Sequence, residues 1–296
     1  MAEYTPYPTV EFDGGLTYAD ETIANISITL GRRDIMEQPS AGYATVELWT
    51  DADTPIPVTL SESVQIYIKD SNSVDQQIFG GVISDININL DQYGNIGSVA
   101  RYTITAVGPL AQLNKRTAGA ATFPKQKDGD RILAILTEAF LTEWDDVAPT
   151  LAWNGVPSGT TWATYDGTAL SLVNGLATNI DNPGIYELMD YSSGDANALT
   201  LAQEAAQSGR GVLFESEDGD IHYDDYAARA SNPTITLTAN DILARGLSTA
   251  AQWSEIANDV EVTYRAGTEN ARDEQSIILY GQLTGTRSTT LHNQAD

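Results

Sequence analysis

The chain has 296 residues, 42% of them hydrophobic and 19% charged, which excludes wholesale disorder and is enough apolar content to bury a sizeable core. Fifteen Lys and Arg stand against 41 Asp and Glu, a net charge of −26, and the densest basic stretch (Lys115, Arg116, Lys125 and Lys127) is thin, so recognition of nucleic acid through phosphate neutralisation is excluded. Cysteine is absent, which removes disulfides, Cys-ligated metals, iron–sulfur clusters and thiol nucleophiles.

The N-terminus, Met1-Ala2-Glu3-Tyr4, has neither a basic n-region nor an apolar h-region, and no run approaches the roughly 18 apolar residues of a membrane span. The expectation is a protein made in a cytoplasm without a secretion signal and without stable membrane insertion. At roughly 150 residues per domain, the length points to two or three domains.

From Ile23 to about Val107 the hydrophobic pattern has a period of two. Ile26, Ile28 and Leu30 alternate with Ser27 and Thr29, and Val46 and Leu48 flank Glu47. Val64, Ile66 and Ile68 alternate with Gln65 and Tyr67. Ile86, Ile88 and Leu90 alternate with Asn87 and Asn89, and Tyr102, Ile104 and Ala106 with Thr103 and Thr105. These are half-buried antiparallel strands. Turn signals separate them at Gly31, Pro55 to Pro57, Asp70 to Asn72 and Gln92 to Asn95. Gly80-Gly81 inside a strand run marks a bulge or a barrel corner. Five or six such strands predict a small barrel or sandwich.

From Asp128 the period changes to 3.6. Ile132, Leu133, Ile135, Leu136, Ala139 and Phe140 form one helical face, with Asp128 or Asp130 as N-cap. Thr168 caps a second predicted helix carrying Leu170, Leu172, Val173, Leu176 and Ile180, stopped by Asn182-Pro183-Gly184. A third runs near Ala198 to Gln207, with Gly209 at its C′ position. Val212 to Phe214 and Ile221 to Tyr223 then flank Glu217-Asp218-Gly219-Asp220, the pattern of a hairpin around an Asp-Gly turn. After Pro233 strand patterns return: Ile235 and Leu237 lead into a short segment, Ala239 to Ala244, and Val260 to Tyr264, Ile277 to Tyr280 and Ser288 to Leu291 follow. Three or four strands rarely close a barrel alone. The expectation is therefore that this unit continues beyond Asp296 or is completed by a partner subunit.

Motifs for chemistry are scarce. His222 lies near Asp220, Asp224 and Asp225, a conceivable carboxylate–imidazole metal site, but a strand histidine beside an acidic turn accounts for it. Glu143, Asp145 and Asp146 near Trp144 and Trp153 have the residue types of a carboxylate glycosidase; a polar helix end with a tryptophan in the core is the favoured reading. Asp218-Gly219-Asp220 lacks the repeating ligands and terminal Glu of a calcium loop. No Ser–His–Asp context, His-Glu-x-x-His, Walker loop or dinucleotide fingerprint occurs. No catalytic, cofactor-binding or metal-binding residue is therefore assigned, and the chain is expected not to be an enzyme.

Four stretches resemble the tail hub proteins of bacteriophages, also called baseplate hub or minor tail proteins. They are ITLGRRDIMEQPSAGYATVELW (Ile28 to Trp49), IFGGVISDININL (Ile78 to Leu90), YTITAVGPLAQLNK (Tyr102 to Lys115) and LAQEAAQSGRGVLFESEDGDIHYDD (Leu201 to Asp225). The resemblance runs in order through roughly residues 20–290. It implies a mainly β fold in which two β-barrel-like tube domains, 1–117 and 231–296, flank a helical, α+β middle domain, 118–230, the second barrel being incomplete. It further implies a structural virion protein at the tail tip. There a homotrimeric ring would join the sixfold tail tube to the threefold tip and line the DNA channel. Its expected partners are the distal tail protein or a tube ring, tip, spike or fibre proteins, and the tape measure protein, with DNA passing through without specific binding. The lysozyme-like or peptidase modules of larger family members are not visible. A receptor- or carbohydrate-binding β protein displayed on a particle or cell surface is the alternative that the strands, 14 Tyr and 5 Trp also fit.

Overall fold

The computed structural model describes residues 8–12, 15–19, 22–32, 37–51, 53–69, 73–92, 98–140, 179–231 and 257–292. Among these the fold is mainly β, with a smaller helical part.

Seven strands make the principal sheet: β1 (Pro8–Phe12), β2 (Leu16–Ala19), β3 (Ile23–Thr29), β4 (Tyr43–Asp51), β5 (Ser63–Lys69), β6 (Asp75–Gln92) and β7 (Ser98–Val107). Their order is β2-β1-β5-β6-β7-β4-β3, every neighbour antiparallel. The sheet curls into half a barrel whose edge strands, β2 and β3, do not pair with each other. Period-two patterning explains the buried face. Val46 pairs with Ile104, which pairs with Ile86, so three strands send apolar side chains to the same side. Val46 and Ile104 join Val10, Phe12, Ile66 and Phe79 in the core. The opposite face carries Glu47, Thr103 and Asn87 at the adjoining register positions.

The β1–β2 hairpin is not signalled by the alternation that begins at Ile23. It turns through Gly15 at φ +79°, a left-handed conformation suited to glycine. The bulges also fall elsewhere than expected. In β6 the register slips opposite Ile66/Tyr67 and again between Ile83 and Asp85, leaving Ile78 and Ser84 unpaired, whereas Gly80 and Gly81 keep regular partners. Two bulges bend this 18-residue strand and aim its middle at the helical unit.

That unit begins with a short helix, α1 (Pro109–Leu113), and contains α2 (Asp128–Phe140), α3 (Ala198–Ser208) and α4 (Tyr226–Ser231). Two small antiparallel pairs, β8 (Thr117–Ala118) with β11 (Ala196–Asn197) and β9 (Gln126–Lys127) with β10 (Glu187–Leu188), brace the helices. A hairpin of β12 (Val212–Glu215) and β13 (Ile221–Asp224) completes it. The predicted apolar face of α2 packs on α3 through Ile132, Ile135, Leu136, Leu201, Ala202 and Ala205 in a second core. Asn197 caps α3 by accepting from the Thr200 N–H at 2.9 Å.

At the far end of α3 the expectation for Gly209 is corrected. Its φ is −75°, and the left-handed residue is Arg210 at +57°. Glycine is needed at 209 for space, because a Cβ there would run into the Asp128 side chain. Asp128 itself is not an N-cap but a fully buried residue at the start of α2. The predicted helix after Thr168 lies outside the described residues except at its end, where Ile180 bridges to Tyr223.

The C-terminal part forms an open three-stranded sheet, β15-β14-β16, from β14 (Asp259–Tyr264), β15 (Gly267–Arg272) and β16 (Thr284–Ser288). β14 runs antiparallel to β15 and parallel to β16, and α5 (Glu274–Tyr280) makes the crossover. The strand expected at Ile277 to Tyr280 is therefore a helix. Four consecutive apolar residues do not distinguish the two states; the decisive feature is Asp273, whose carboxylate accepts from the Gln275 and Ser276 N–H groups as an N-cap. The last strand likewise falls at Thr284–Ser288 rather than Ser288 to Leu291. Leu291 instead bridges to Leu188 of the helical unit. Ile235, Leu237 and Ala239 to Ala244 lie outside the described residues.

Candidate functional site

Among the described residues, a set of specific contacts between distant parts of the chain lies where the helical unit meets the seven-stranded sheet. The segment leading into β4 is held by three side chains. Gln38 mimics a strand partner: its Oε1 accepts from the Leu213 N–H at 3.0 Å and its Nε2 donates to the Gly211 carbonyl at 3.0 Å. Gln203 of α3 donates to the Pro39 carbonyl at 2.9 Å. Glu215 of β12 accepts from the Gly42 N–H with one carboxylate oxygen and from the Leu110 N–H, at 3.1 Å, with the other.

This last pair of contacts compensates for a missing cap. Helix α1 starts after Gly108, which has no side chain to offer its first N–H groups. Glu215 supplies the acceptor from another element, and any side chain at position 108 would strike its carboxylate. Burial pushes the Glu215 carboxyl above the ordinary glutamate value, against the lowering effect of the two backbone donors.

The β12–β13 hairpin tip makes the second half of the joint. The Ser216 carbonyl accepts from the Gly219 N–H at 3.0 Å, and Gly219 adopts φ +86°, a turn that closes the hairpin as the Asp-Gly signal predicts. This tip docks on β6: Gln77 Nε2 donates to the Glu217 carbonyl at 3.2 Å. Gly80 must be glycine because a Cβ would lie 2.6 Å from the Asp218 carbonyl oxygen. Beside it opens a cleft of about 780 Å³ lined by Gly81, Lys115, Arg116, Phe140 and Asp218 among others. The Arg116 guanidinium covers the Phe140 ring at 4.7 Å and donates to the Ala139 carbonyl at 3.0 Å.

A buried polar pair stabilises the helical unit behind this joint. Tyr223 donates to Asp128 Oδ2 at 2.5 Å, and the Tyr186 N–H donates to Oδ1 at 3.0 Å. Gly184 and Gly209 press against the Asp128 carboxylate and Gly211 against the Tyr223 hydroxyl, leaving no room for side chains. Desolvation raises the Asp128 pKa, and burial beside Asp128 raises that of Tyr223.

The residues considered for chemistry are dispersed. His222 stacks on Phe214 with ring centroids 5.3 Å apart and 21° between planes. Asp218 and Asp220 belong to the hairpin turn, and Asp225 accepts from the Ala228 N–H at the start of α4. Among the described residues no three His, Asp or Glu side chains gather around a common point, and no helix is long and apolar enough to cross a membrane. Glu143, Trp144, Asp145, Asp146 and Trp153 lie outside the described residues. What the arrangement does is tie the helical unit to the seven-stranded sheet through hydrogen bonds.

Sequence reasoning did not single out Gln38, Gln203 or Glu215, because an isolated polar residue has no periodic or motif signal. They are nevertheless placed by the stretches quoted above. All four meet at this joint: Gln38, Pro39 and Gly42 from the first, Gly80 from the second, Gly108 and Leu110 from the third, Gln203, Gly211 and Glu215 from the fourth.

No protein-family model matches the sequence, and no curated protein does. Solved structures do share the fold. The tail protein from Neisseria meningitidis MC58 aligns with 98% of this chain and 73% of its own length, at 12% identity and a TM-score of 0.53. The prophage tail protein gp18 from Listeria monocytogenes EGD-e aligns with 96% of this chain and 72% of its own, at 10% identity and a TM-score of 0.50.

Proposed function

We propose that this protein is a structural component of a bacteriophage tail, placed at the tail tip as a trimeric hub ring that joins the sixfold tube to the threefold tip and lines the DNA channel. The observation that carries the reading is a fold shared with a tail protein and a prophage tail protein along 98% and 96% of the chain. The joint at Gln38, Gln203 and Glu215 supports it: a tip component must transmit orientation from one unit to the next, and these contacts fix that orientation. The charge of −26, repeated three times around a ring, gives a lumen that repels phosphates, so DNA slides through without adhering. The neighbours in this reading are the distal tail protein or a tube ring on one side, tip, spike or fibre proteins on the other, and the tape measure protein within. The role is structural, not enzymatic.

Negative-stain imaging of the purified full chain, with symmetry classification, tests this. Threefold or near-sixfold rings with a central hole are the expected result. Monomers at high concentration, with and without the neighbouring tail proteins, would overturn the ring.

A further inference from the structure

Beyond Ser288 the chain leaves β16 and runs between the end of β14 on one side and β10 of the helical unit on the other. Its residues bond alternately to the two sides. The Thr289 N–H donates to the Thr263 carbonyl at 2.9 Å, and the Leu291 carbonyl accepts from the Arg265 N–H at 3.1 Å. The Thr290 carbonyl accepts instead from the Met189 N–H at 2.8 Å, and the His292 N–H donates to the Glu187 carbonyl at 2.9 Å. These last two bonds flank an antiparallel bridge between Leu188 and Leu291. Ser208, 6% exposed at the end of α3, accepts from the Thr290 N–H and from its hydroxyl, both at 2.9 Å.

Two further contacts join the C-terminal sheet to the helical unit. Leu291 packs on the helical core, whereas among the described residues none of 257–288 belongs to either apolar core. Arg265 pairs with Asp190, but the two side chains are 46% and 43% exposed, and an ion pair in that setting contributes little. Inside the C-terminal sheet the ties are stronger. Asn258, 4% exposed, accepts from the Leu283 N–H at 2.7 Å and donates to the Gly281 carbonyl at 2.8 Å. Arg272 holds Asp259 with two hydrogen bonds. A unit bound more firmly within itself than to its neighbour is suited to open as a whole.

We infer that residues 289–292 are a releasable strap: peeling them from β10 undocks the C-terminal sheet from the helical unit as one body, with its own strand ladder intact. Opening breaks the bonds to Glu187 and Met189, the Ser208–Thr290 contacts, the packing of Leu291 and the Arg265–Asp190 pair. It leaves the Thr289–Thr263 and Leu291–Arg265 bonds in place, because both lie within the body that moves.

Hydrogen exchange of the full chain, resolved residue by residue with NMR, separates the two sides of the strap. The Met189, Thr290 and His292 amides are expected to share one opening, with protection factors about tenfold or more below those of the Thr289 and Arg265 amides beside them. Leu291→Ala, which removes the apolar contact with the helical core, should lower the first three by about another tenfold and leave the amides of β4, β7 and β14 unchanged. Protection at Thr290 equal to or above that at Thr289 overturns the strap, since the segment then opens only with the sheet or with the whole fold. An effect of Leu291→Ala spread over β4, β7 and β14 overturns it as well.

Discussion

Glu215, on a hairpin strand of the helical unit, caps a helix it does not belong to: its carboxylate accepts from the Leu110 N–H at 3.1 Å while its other oxygen accepts from Gly42. Gly42 immediately precedes β4 and Leu110 follows β7, so one side chain ties the chain beside the ends of two adjacent strands of the sheet to the hairpin. Replacing it with alanine strands two backbone donors. Hydrogen bonds to charged groups contribute about 1.5–3 kcal/mol each, and water entering the vacated space offsets part of that. Glu215→Ala should therefore lower unfolding stability by about 2–3 kcal/mol. Equilibrium urea denaturation checks it; a change within about 0.5 kcal/mol would show that the joint does not depend on this carboxylate.

The same residue sets a pH dependence. Burial raises the folded-state pKa of Glu215, and of Asp128, above the unfolded values. The native state then holds more protons than the unfolded state between the unfolded and folded pKa values. Stability is fully present below the unfolded carboxylate range and is lost as pH rises through the folded values. Stability measured from pH 4 upward should show this descending component. In Glu215→Gln, which cannot ionise, the slope should be shallower; an unchanged slope would assign the titration elsewhere.

Legibility of the fold follows the strength of the local pattern. β4 and β7 are readable because Val46, Leu48, Tyr102 and Ile104 alternate with polar residues in strands with one buried face, and α2 because its apolar positions recur on one helical face. The β1–β2 hairpin is not, because Pro8 and the shortness of both strands weaken the period. Helix α5 is hidden by an apolar run, Ile277 to Tyr280, that fits either state and is decided by the Asp273 cap. The joint is the least legible part. Gln38 and Glu215 bond to partners more than 100 residues away, and only the assembled fold brings them together.

Gly80 gives a steric test of the joint. An added methyl would lie 2.6 Å from the Asp218 carbonyl oxygen and 2.8 Å from the Gly219 nitrogen, both backbone atoms of a tight turn. Neither yields as a flexible side chain does, so the hairpin tip must lift from β6. Overpacking of this kind costs about 1–3 kcal/mol. Gly80→Ala should lose that stability and become more susceptible to proteolysis within residues 216–220, whereas Gly15→Asn, at a turn with no neighbouring atoms within 4 Å, should change stability by less than about 1 kcal/mol. Equal effects at the two positions would show that docking at Gly80 is not the constraint.

In the C-terminal sheet, Arg272 donates to both oxygens of Asp259, at 3.1 and 3.0 Å. The hydrogen bonds from Arg272 and from Gln282 hold the Asp259 carboxyl below its ordinary value. Its stabilising contribution is present above the unfolded aspartate value and is lost as pH falls through the folded one. Titration of the Asp259 carboxyl carbon by NMR should show a depressed midpoint in the native protein that moves up in Arg272→Met. An unmoved midpoint would rule out Arg272 as the cause.

Tyr223 and Asp128 provide the most stringent test of the helical core, because both are fully buried and their side chains bond directly to each other. Tyr223→Phe removes the hydroxyl but leaves the Asp128 carboxylate in place, with the Tyr186 N–H still donating to it. A buried acceptor deprived of a charged hydrogen bond costs about 1.5–3 kcal/mol, so the single variant should be destabilised by that amount, with Asp128 driven further toward its protonated form. In Asp128→Asn the site is neutral, and the amide oxygen can still accept from one of the two donors, so the loss should be smaller. The double variant should be less destabilised than the two single changes added together, since a neutral amide facing a phenyl ring no longer buries an unpaired charge. A coupling energy of at least about 1 kcal/mol from this cycle is expected for groups in direct contact. Additivity within about 0.3 kcal/mol would mean that the pair is a consequence of packing among Gly184, Gly209 and Gly211 and contributes nothing specific of its own.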